Sequence, residues 1–274
     1  MQSIKSALRK VTELILPTPL FTKIISIRSR NYQHRFLQRQ GLDIINRQFI
    51  DNYGTTVLHG LFSGMTYPQE SLAVRHSIPK LLGSYEMELH SSLDAIILNA
   101  KSQYECVIDI GSAEGYYAVG LALKTDLPVI AFDTEPRELD FCKKMAILND
   151  VAHQMTFKNW CSSQYLSELN KRCFIMCDCE GYEAILFDEV AIRGLSRSDL
   201  LIELHDTQEN NITDPLIERF SVTHTAKLIS SQPRNPDSFP ELNFLNSKDN
   251  ALKAISEYRR EGQRWVLFRA KSQS

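Results

Sequence analysis

The sequence has no apolar run near the ~18 residues that a membrane-spanning helix requires, and it has almost no net charge: −2 over 274 residues. The first absence excludes a transmembrane helix. The second gives the whole chain no pull toward a polyanion. No export leader is expected, because Leu14-Ile15-Leu16 ends at Pro17, too short for a signal-peptide core. The expected location is therefore the cytoplasm, with the six cysteines as reduced thiols. Paired C-x2-C spacing is absent. Cys173, Cys177 and Cys179 form C-x3-C-x-C with no fourth ligand nearby, which favours small buried hydrophobes over a zinc site.

What charge there is lies unevenly. Residues 1–50 carry nine Lys/Arg against two Asp/Glu, and the remainder is acidic by nine. The basic segment suits a solvated helix face or an acidic partner. Hydrophobic residues at 43% and charged residues at 23% are the balance of a globular chain with a real core. Ile4, Leu8, Val11 and Ile15 recur at helical spacing, and residues 20–50 also read as helix. Asp51–Tyr67, broken by Asn52, Gly54, Gly60 and Gly64, reads as short strand-like pieces. Ser71–Ala100 reads as helices with a break around Pro79–Ser84.

After Gln103 strands and helices alternate, as in a parallel sheet covered on both faces. Strands are expected at Cys106–Ile110, Val129–Asp133, Met155–Lys158, Phe174–Asp178, Leu200–Leu204, Thr223–Ser230 and Trp265–Ala270. Helices are expected at Ala113–Lys124 and Pro136–Asn149. The long segment holding Pro233, Pro236 and Pro240 is expected to wall the substrate side. The predicted organisation is a mainly helical extension over residues 1–100 and an α/β domain over residues 101–274.

The strongest local signal is Val107-Ile108-Asp109-Ile110-Gly111-Ser112-Ala113-Glu114-Gly115, a buried strand running through small residues into a helix. Small residues let a ligand approach the backbone, and the helix start offers unpaired N–H groups. A dinucleotide loop needs G-x-G-x-x-G, but here Ala113 holds the middle position and Gly115 follows Gly111 by four residues. The G-x-A-x-G spacing instead resembles the first motif of class I methyltransferases that use S-adenosylmethionine (SAM), with Asp109 as the upstream acid. The second strand ends in Asp133, placed to accept hydrogen bonds from both ribose hydroxyls of an adenosine cofactor. That acid alone does not separate SAM from NAD; the loop spacing does. Gly111, Ser112, Ala113, Gly115, Asp109 and Asp133 are thus the expected cofactor contacts, joined by Asp178 and by Trp160 as a flat wall for the adenine.

The fourth strand releases Asp178, Glu180 and Glu183 around Gly181, and the fifth releases Glu203, His205 and Asp206. Carboxylates at the ends of buried strands are costly unless solvated, paired or metal-bound. Adjacent strands would deliver both sets to the edge that carries the glycine loop.

The four segments D-I-G-S-A-E-G-Y-Y, A-F-D-T-E-P, D-C-E-G-Y-E and I-E-L-H-D together resemble the successive motifs of FkbM-like methyltransferases, over roughly residues 104–206. Asp133 stands where that family usually has Glu, and Cys179 where it has an aliphatic residue. The resemblance implies a Rossmann-like class I methyltransferase fold with a mostly parallel seven-stranded sheet and helices on both faces. It implies SAM-dependent O-methylation of a sugar, glycan or other small molecule. His205 is then the expected base and Asp178 the orienting or second carboxylate. The alternative is a divalent cation held by Asp178, Glu180, His205 and Asp206; no metal is the favoured expectation. Glu180 and Glu183 also have a simpler reading as charges at the start of the next helix. Competing functional readings are a SAM-fold protein without catalysis, acting through its N-terminal helices, and an NAD enzyme. Nucleic acid is not an expected partner, since the Asn/Asp-Pro-Pro-Tyr/Phe motif is absent after the fourth strand and the domain is acidic. A homo-oligomer is compatible with the sequence.

Overall fold

The structure is a computed structural model that describes residues 33–271 apart from 75, 208, 210 and 261. The helix expected around Ile4–Ile15 lies outside the described residues.

A helical layer comes first: α1 (Leu42–Tyr53), α2 (Ser77–Leu82) and α3 (Met87–Leu98). The expectation of strand-like pieces from Asp51 to Tyr67 is not met. Helix α1 runs to Tyr53 and stops at Gly54, and the rest is a looped segment closed by one isolated bridge between Thr56 and Thr66. Glycines at positive φ, including Gly54, Gly60 and Gly64, turn the chain too often for a strand. Pro79, expected at a break, lies inside α2, in its first turn, where its missing N–H costs nothing; the break comes at Gly83.

The alternating part then follows: β1 (Cys106–Ile110), α4 (Tyr116–Thr125), β2 (Val129–Phe132), α5 (Pro136–Leu148), β3 (Met155–Lys158), β4 (Cys173–Cys177), the short α6 (Glu183–Leu186), β5 (Asp199–Leu204), α7 (Thr213–Phe220), β6 (His224–Ser230), α8 (Lys248–Ile255) and β7 (Arg264–Ala270). All seven expected strands are present, displaced by a residue at most at either end. They form one sheet in the order β3-β2-β1-β4-β5-β7-β6. Strands β1 to β5 are parallel, and β7 pairs antiparallel with both β5 and β6. β1, β4 and β5 are buried at every residue because helices cover both faces.

One face of the sheet shares its core with the N-terminal layer: Val107, Met176 and Leu201 pack in the same cluster as Phe49, Phe62, Leu81 and Leu93. The other face carries Ile108, Ile175 and Ile202 against Leu186, Leu195 and Phe220. The order reverses direction at β1/β4, where a doubly wound sheet opens its ligand crevice at the strands' carboxyl ends. Residue alternation decides what reaches that crevice on the N-terminal-layer side. Asp109 pairs with Met176, and Met176 with Leu201. Asp178 and Glu203 each follow two residues later and therefore share that face, as does His205 beyond the end of β5.

Candidate active site

The glycine loop leaves β1 through Gly111, at φ +85°, where a Cβ would stand 1.7 Å from the Asp178 carbonyl oxygen. Gly115, at φ +104°, would place a Cβ 2.8 Å from Cys142 Sγ. The two glycines are thus required first by packing, which brings the β1 loop against the end of β4 and against α5. Ala113 takes a positive φ of 45° without being glycine. Its N–H donates to Asp133 Oδ2 at 2.8 Å, while Glu135 N–H donates to Asp133 Oδ1 at 2.8 Å. Asp133 therefore ties the first two strand ends together, and burial raises its carboxyl above the ordinary range.

Asp109 lies beneath the loop, 4% exposed, with Oδ2 lacking a hydrogen-bond partner among the described residues. Burial, then the nearby charges of Asp178 and Asp133, push it up to about 8, against the pull of the Ala118 backbone N–H. Ser112 is buried as well, whereas Trp160 is 55% exposed and leans on Tyr182 with ring centroids 5.2 Å apart.

The second half of the site is a chain of acids around one imidazole. His205 Nδ1 lies 2.8 Å from Glu183 Oε1, and its Nε2 lies 3.5 Å from Asp178 Oδ1 and 3.9 Å from Glu180 Oε2. The Glu183 side chain is fully buried and also accepts the N–H groups of Cys179 (3.1 Å) and Gly181 (3.3 Å). Burial alone would raise Glu183, but the hydrogen bond from His205 and the imidazole's charge more than offset it, leaving the carboxyl below its ordinary value. Burial alone would lower His205; its bond to Glu183 and the charges of Glu183, Asp178 and Glu180 raise it instead. Asp178 is pushed up to about 6 by loss of solvent and by the Glu180 charge, with His205 opposing.

Behind this row sits Glu203, pushed up to about 10 by burial and by the charges of Asp178 and Glu86. One atom each of Asp178, Glu203 and His205 lies within 4.8 Å of the others. Such spacing suits either a shared proton or a divalent cation. The arginine already bound to Glu203, with Arg259 Nη1 2.9 Å from Oε1, favours the proton because it would repel a second positive charge. The other two residues of the alternative metal reading stand apart. The Glu180 side chain is 90% exposed. Asp206 turns away to cap α7, accepting the Ile212 and Thr213 N–H groups at 2.6 and 3.0 Å and pairing with Arg264 at 3.1 Å.

Sequence reasoning missed the cations that hold this edge together. Arg259 bonds Glu86, Glu203 and Glu257, and packs over the Tyr85 and Trp265 rings at 5.4 and 4.8 Å. Arg234 pairs with Glu88 and, at 2.6 Å, with Glu257. Lys80 of α2 forms a buried ion pair with Glu114 inside the glycine loop and lies 4.9 Å over the Tyr85 ring. A cleft of about 540 Å³ opens beside Arg259, between the 231–234 part of the proline-rich segment and α8 with the residues that follow it.

The strand order, the antiparallel β7 and the glycine loop at the β1 end make this a Rossmann-like class I methyltransferase fold. No family model matches the chain, and no curated protein matches it. Solved structures do resemble it. One is the O-methyltransferase TomG of Streptomyces achromogenes, involved in tomaymycin synthesis and solved with SAM: 14% identity over 75% of this chain and 91% of that one, TM-score 0.44. A SAM-dependent methyltransferase of Geobacter sulfurreducens, in complex with S-adenosylhomocysteine, is 16% identical over 65% and 89%, TM-score 0.43. The precorrin-6y C5,15-methyltransferase of Geobacter metallireducens is 12% identical over 67% and 89%, TM-score 0.44.

Proposed function

We propose that this chain is a SAM-dependent methyltransferase of the FkbM-like kind that methylates a hydroxyl of a sugar, glycan or other small molecule in the cytoplasm. The observation that carries the reading is convergence: the glycine loop, Asp133, Asp178 and His205 come from four strand ends and meet at one carboxyl edge. The residues present fit the cofactor. Asp109 offers a buried oxygen without a partner, and Asp133 stands at the end of β2, where an adenosine ribose is held in sheets of this type. Ser112, Ala113 and the two glycines form the loop against which the amino-acid end would rest.

When bound, SAM supplies an electrophilic methyl on a sulfonium centre. The protein's part is alignment of the acceptor oxygen and removal of its proton. His205 Nε2 lies toward the two more exposed carboxylates, Asp178 and Glu180, and it is the atom we assign to the proton. Asp178 steadies the resulting imidazolium. We assign acceptor selection to the N-terminal segment and the proline-rich segment, because the described part of the first and residues 231–234 of the second border the crevice side of the sheet.

Calorimetric titration with S-adenosylhomocysteine tests the reading, run in parallel with NAD and repeated in EDTA. Saturable binding of the homocysteine compound, not of NAD and unaffected by EDTA, is the expected result. His205→Ala is expected to bind it normally and, in a screen of sugar acceptors, to transfer methyl about 10²–10⁴-fold more slowly. Binding of NAD alone would overturn the assignment.

A further inference from the structure

We propose that Glu183 is the positioning residue of this site: its buried carboxylate fixes His205 as the tautomer protonated at Nδ1 and leaves Nε2 bare to take the acceptor's proton. The role of that proton rests on the methyl-transfer reading above; the tautomer itself does not.

Three nitrogens converge on Glu183 Oε1: the backbone N–H groups of Cys179 at 3.1 Å and Gly181 at 3.3 Å, and His205 Nδ1 at 2.8 Å. An ionised carboxylate only accepts, so the ring nitrogen facing it must carry the hydrogen. Glu183 has no solvent contact. Its bond to the ring is therefore not diluted by water, and the charge is felt at low dielectric. A histidine side chain in water prefers its hydrogen on Nε2, so holding it on Nδ1 is work done by this carboxylate. The bare Nε2 then looks toward Asp178 Oδ1 at 3.5 Å and the exposed Glu180 at 3.9 Å, with Glu203 behind Asp178. These four are the carboxyl groups around the ring among the described residues: Asp178 and Glu180 past β4, Glu183 at the start of α6 and Glu203 in β5. Among the described residues, only Glu183 meets Nδ1.

The proton balance follows. As the new O–CH3 bond forms and the S–CH3 bond breaks, the hydroxyl proton passes to Nε2. The imidazolium is held by Glu183 on one side and Asp178 on the other until Nε2 returns the proton to solvent. The glutamate that reads in sequence as a helix-start charge is thus the partner of the base. It stands toward His205 as the buried aspartate stands toward the histidine of a serine-protease triad.

Nitrogen-15 NMR of histidine-labelled protein decides the point, with His205 assigned by the signals lost in His205→Gln. The expected wild-type spectrum at alkaline pH shows a protonated Nδ1 and a bare Nε2 for His205. Glu183→Gln keeps an acceptor oxygen but loses the charge, so the His205 titration midpoint should fall by about 1–3 pH units. In Glu183→Ala the hydrogen should move to Nε2, while S-adenosylhomocysteine affinity, by calorimetry, stays within about threefold of wild type. A wild-type His205 protonated at Nε2, or an unchanged midpoint in Glu183→Gln, overturns the proposal. So does an unchanged tautomer with lost cofactor affinity in Glu183→Ala, which would make Glu183 a loop support only. Should Glu183→Ala not fold, Glu183→Gln decides alone. Wild-type protein that fails to bind S-adenosylhomocysteine removes the methyl-transfer reading and leaves the tautomer result to stand or fall by itself.

Discussion

Gly111 and Asp178 press backbone against backbone: a Cβ on Gly111 would lie 1.7 Å from the Asp178 carbonyl oxygen. That contact, together with the Asp178 N–H bonded to Ile110 O at 2.9 Å, fixes how the cofactor loop stands relative to the second half of the site. A methyl group there cannot be absorbed by a flexible side chain, and φ of +85° adds strain for any L side chain. Gly111→Ala should therefore cost about 3 kcal/mol or more. Gly181→Ala should cost only about 1 kcal/mol, because Gly181 has positive φ but nothing within 4 Å of the added atom. Urea unfolding of the two variants checks the difference, and equal losses would show that close packing at Gly111 does not matter.

Asp133 does two jobs with one carboxylate, since it already accepts the Ala113 and Glu135 N–H groups at 2.8 Å. Asp133→Ala should loosen the glycine loop and remove the ribose acceptor together. Affinity for S-adenosylhomocysteine should fall at least tenfold, or about 1.4 kcal/mol, measured by calorimetry. Unchanged affinity would take Asp133 out of the cofactor site.

These two positions also show what the sequence made readable. Gly111, Gly115 and Asp133 stand at fixed offsets from strands whose largely apolar runs mark them as buried parallel strands, so the sheet and its carboxyl edge were legible. The boundaries differed by a residue because pairing, not hydrophobicity, ends a strand. The N-terminal loops were not legible: Thr56–Tyr67 has strand-like residues, but its glycines turn it before it can pair beyond one bridge. Glu183 was visible, but its partner lies 22 residues away and local spacing suggested only a helix charge. Arg259 gave no signal, since its carboxylates Glu86 and Glu203 lie 173 and 56 residues away, on elements that meet only in the folded chain.

The position of Asp109 makes stability depend on pH. Its carboxyl titrates at about 8 in the fold, against about 3.9 in an unfolded chain. Between those values the folded chain holds a proton that the unfolded chain has released. Stability therefore falls as pH rises through that interval, by up to about 1.4 kcal/mol per unit from this group, and the loss is complete above the folded value. Asp178 and Glu203, also raised, act in the same direction, so the test is a difference. Between pH 5.5 and 7.5, wild type should lose about 1–2 kcal/mol more than Asp109→Asn in urea unfolding. Parallel losses would mean that Asp109 is already ionised at pH 5.5.

Arg259 is the counter-charge on which the acceptor edge depends. It is the cation bonded to Glu203, it shares Glu257 with Arg234, and it pairs with Glu86, whose φ of 50° is itself unusual for a non-glycine residue. Glu86, Glu203 and Glu257 are all at least nine-tenths buried, so none can turn to water if the guanidinium is removed. Arg259→Met keeps most of the packing against Tyr85 and Trp265 but leaves these acids facing one another. At pH 8 the loss should be about 3–5 kcal/mol, the cost of breaking a buried pair on one side only. Lowering the pH should restore part of it, because the Glu86 carboxyl is already raised by burial and would take up a proton in place of the arginine. Glu203→Gln in the same background should change little at pH 8, because Glu203 already holds its proton there. Urea unfolding of the single and double variants at pH 8 and pH 5 separates the outcomes. A loss below 1 kcal/mol at pH 8 would mean that the acids are neutral without Arg259 and that the guanidinium serves packing alone.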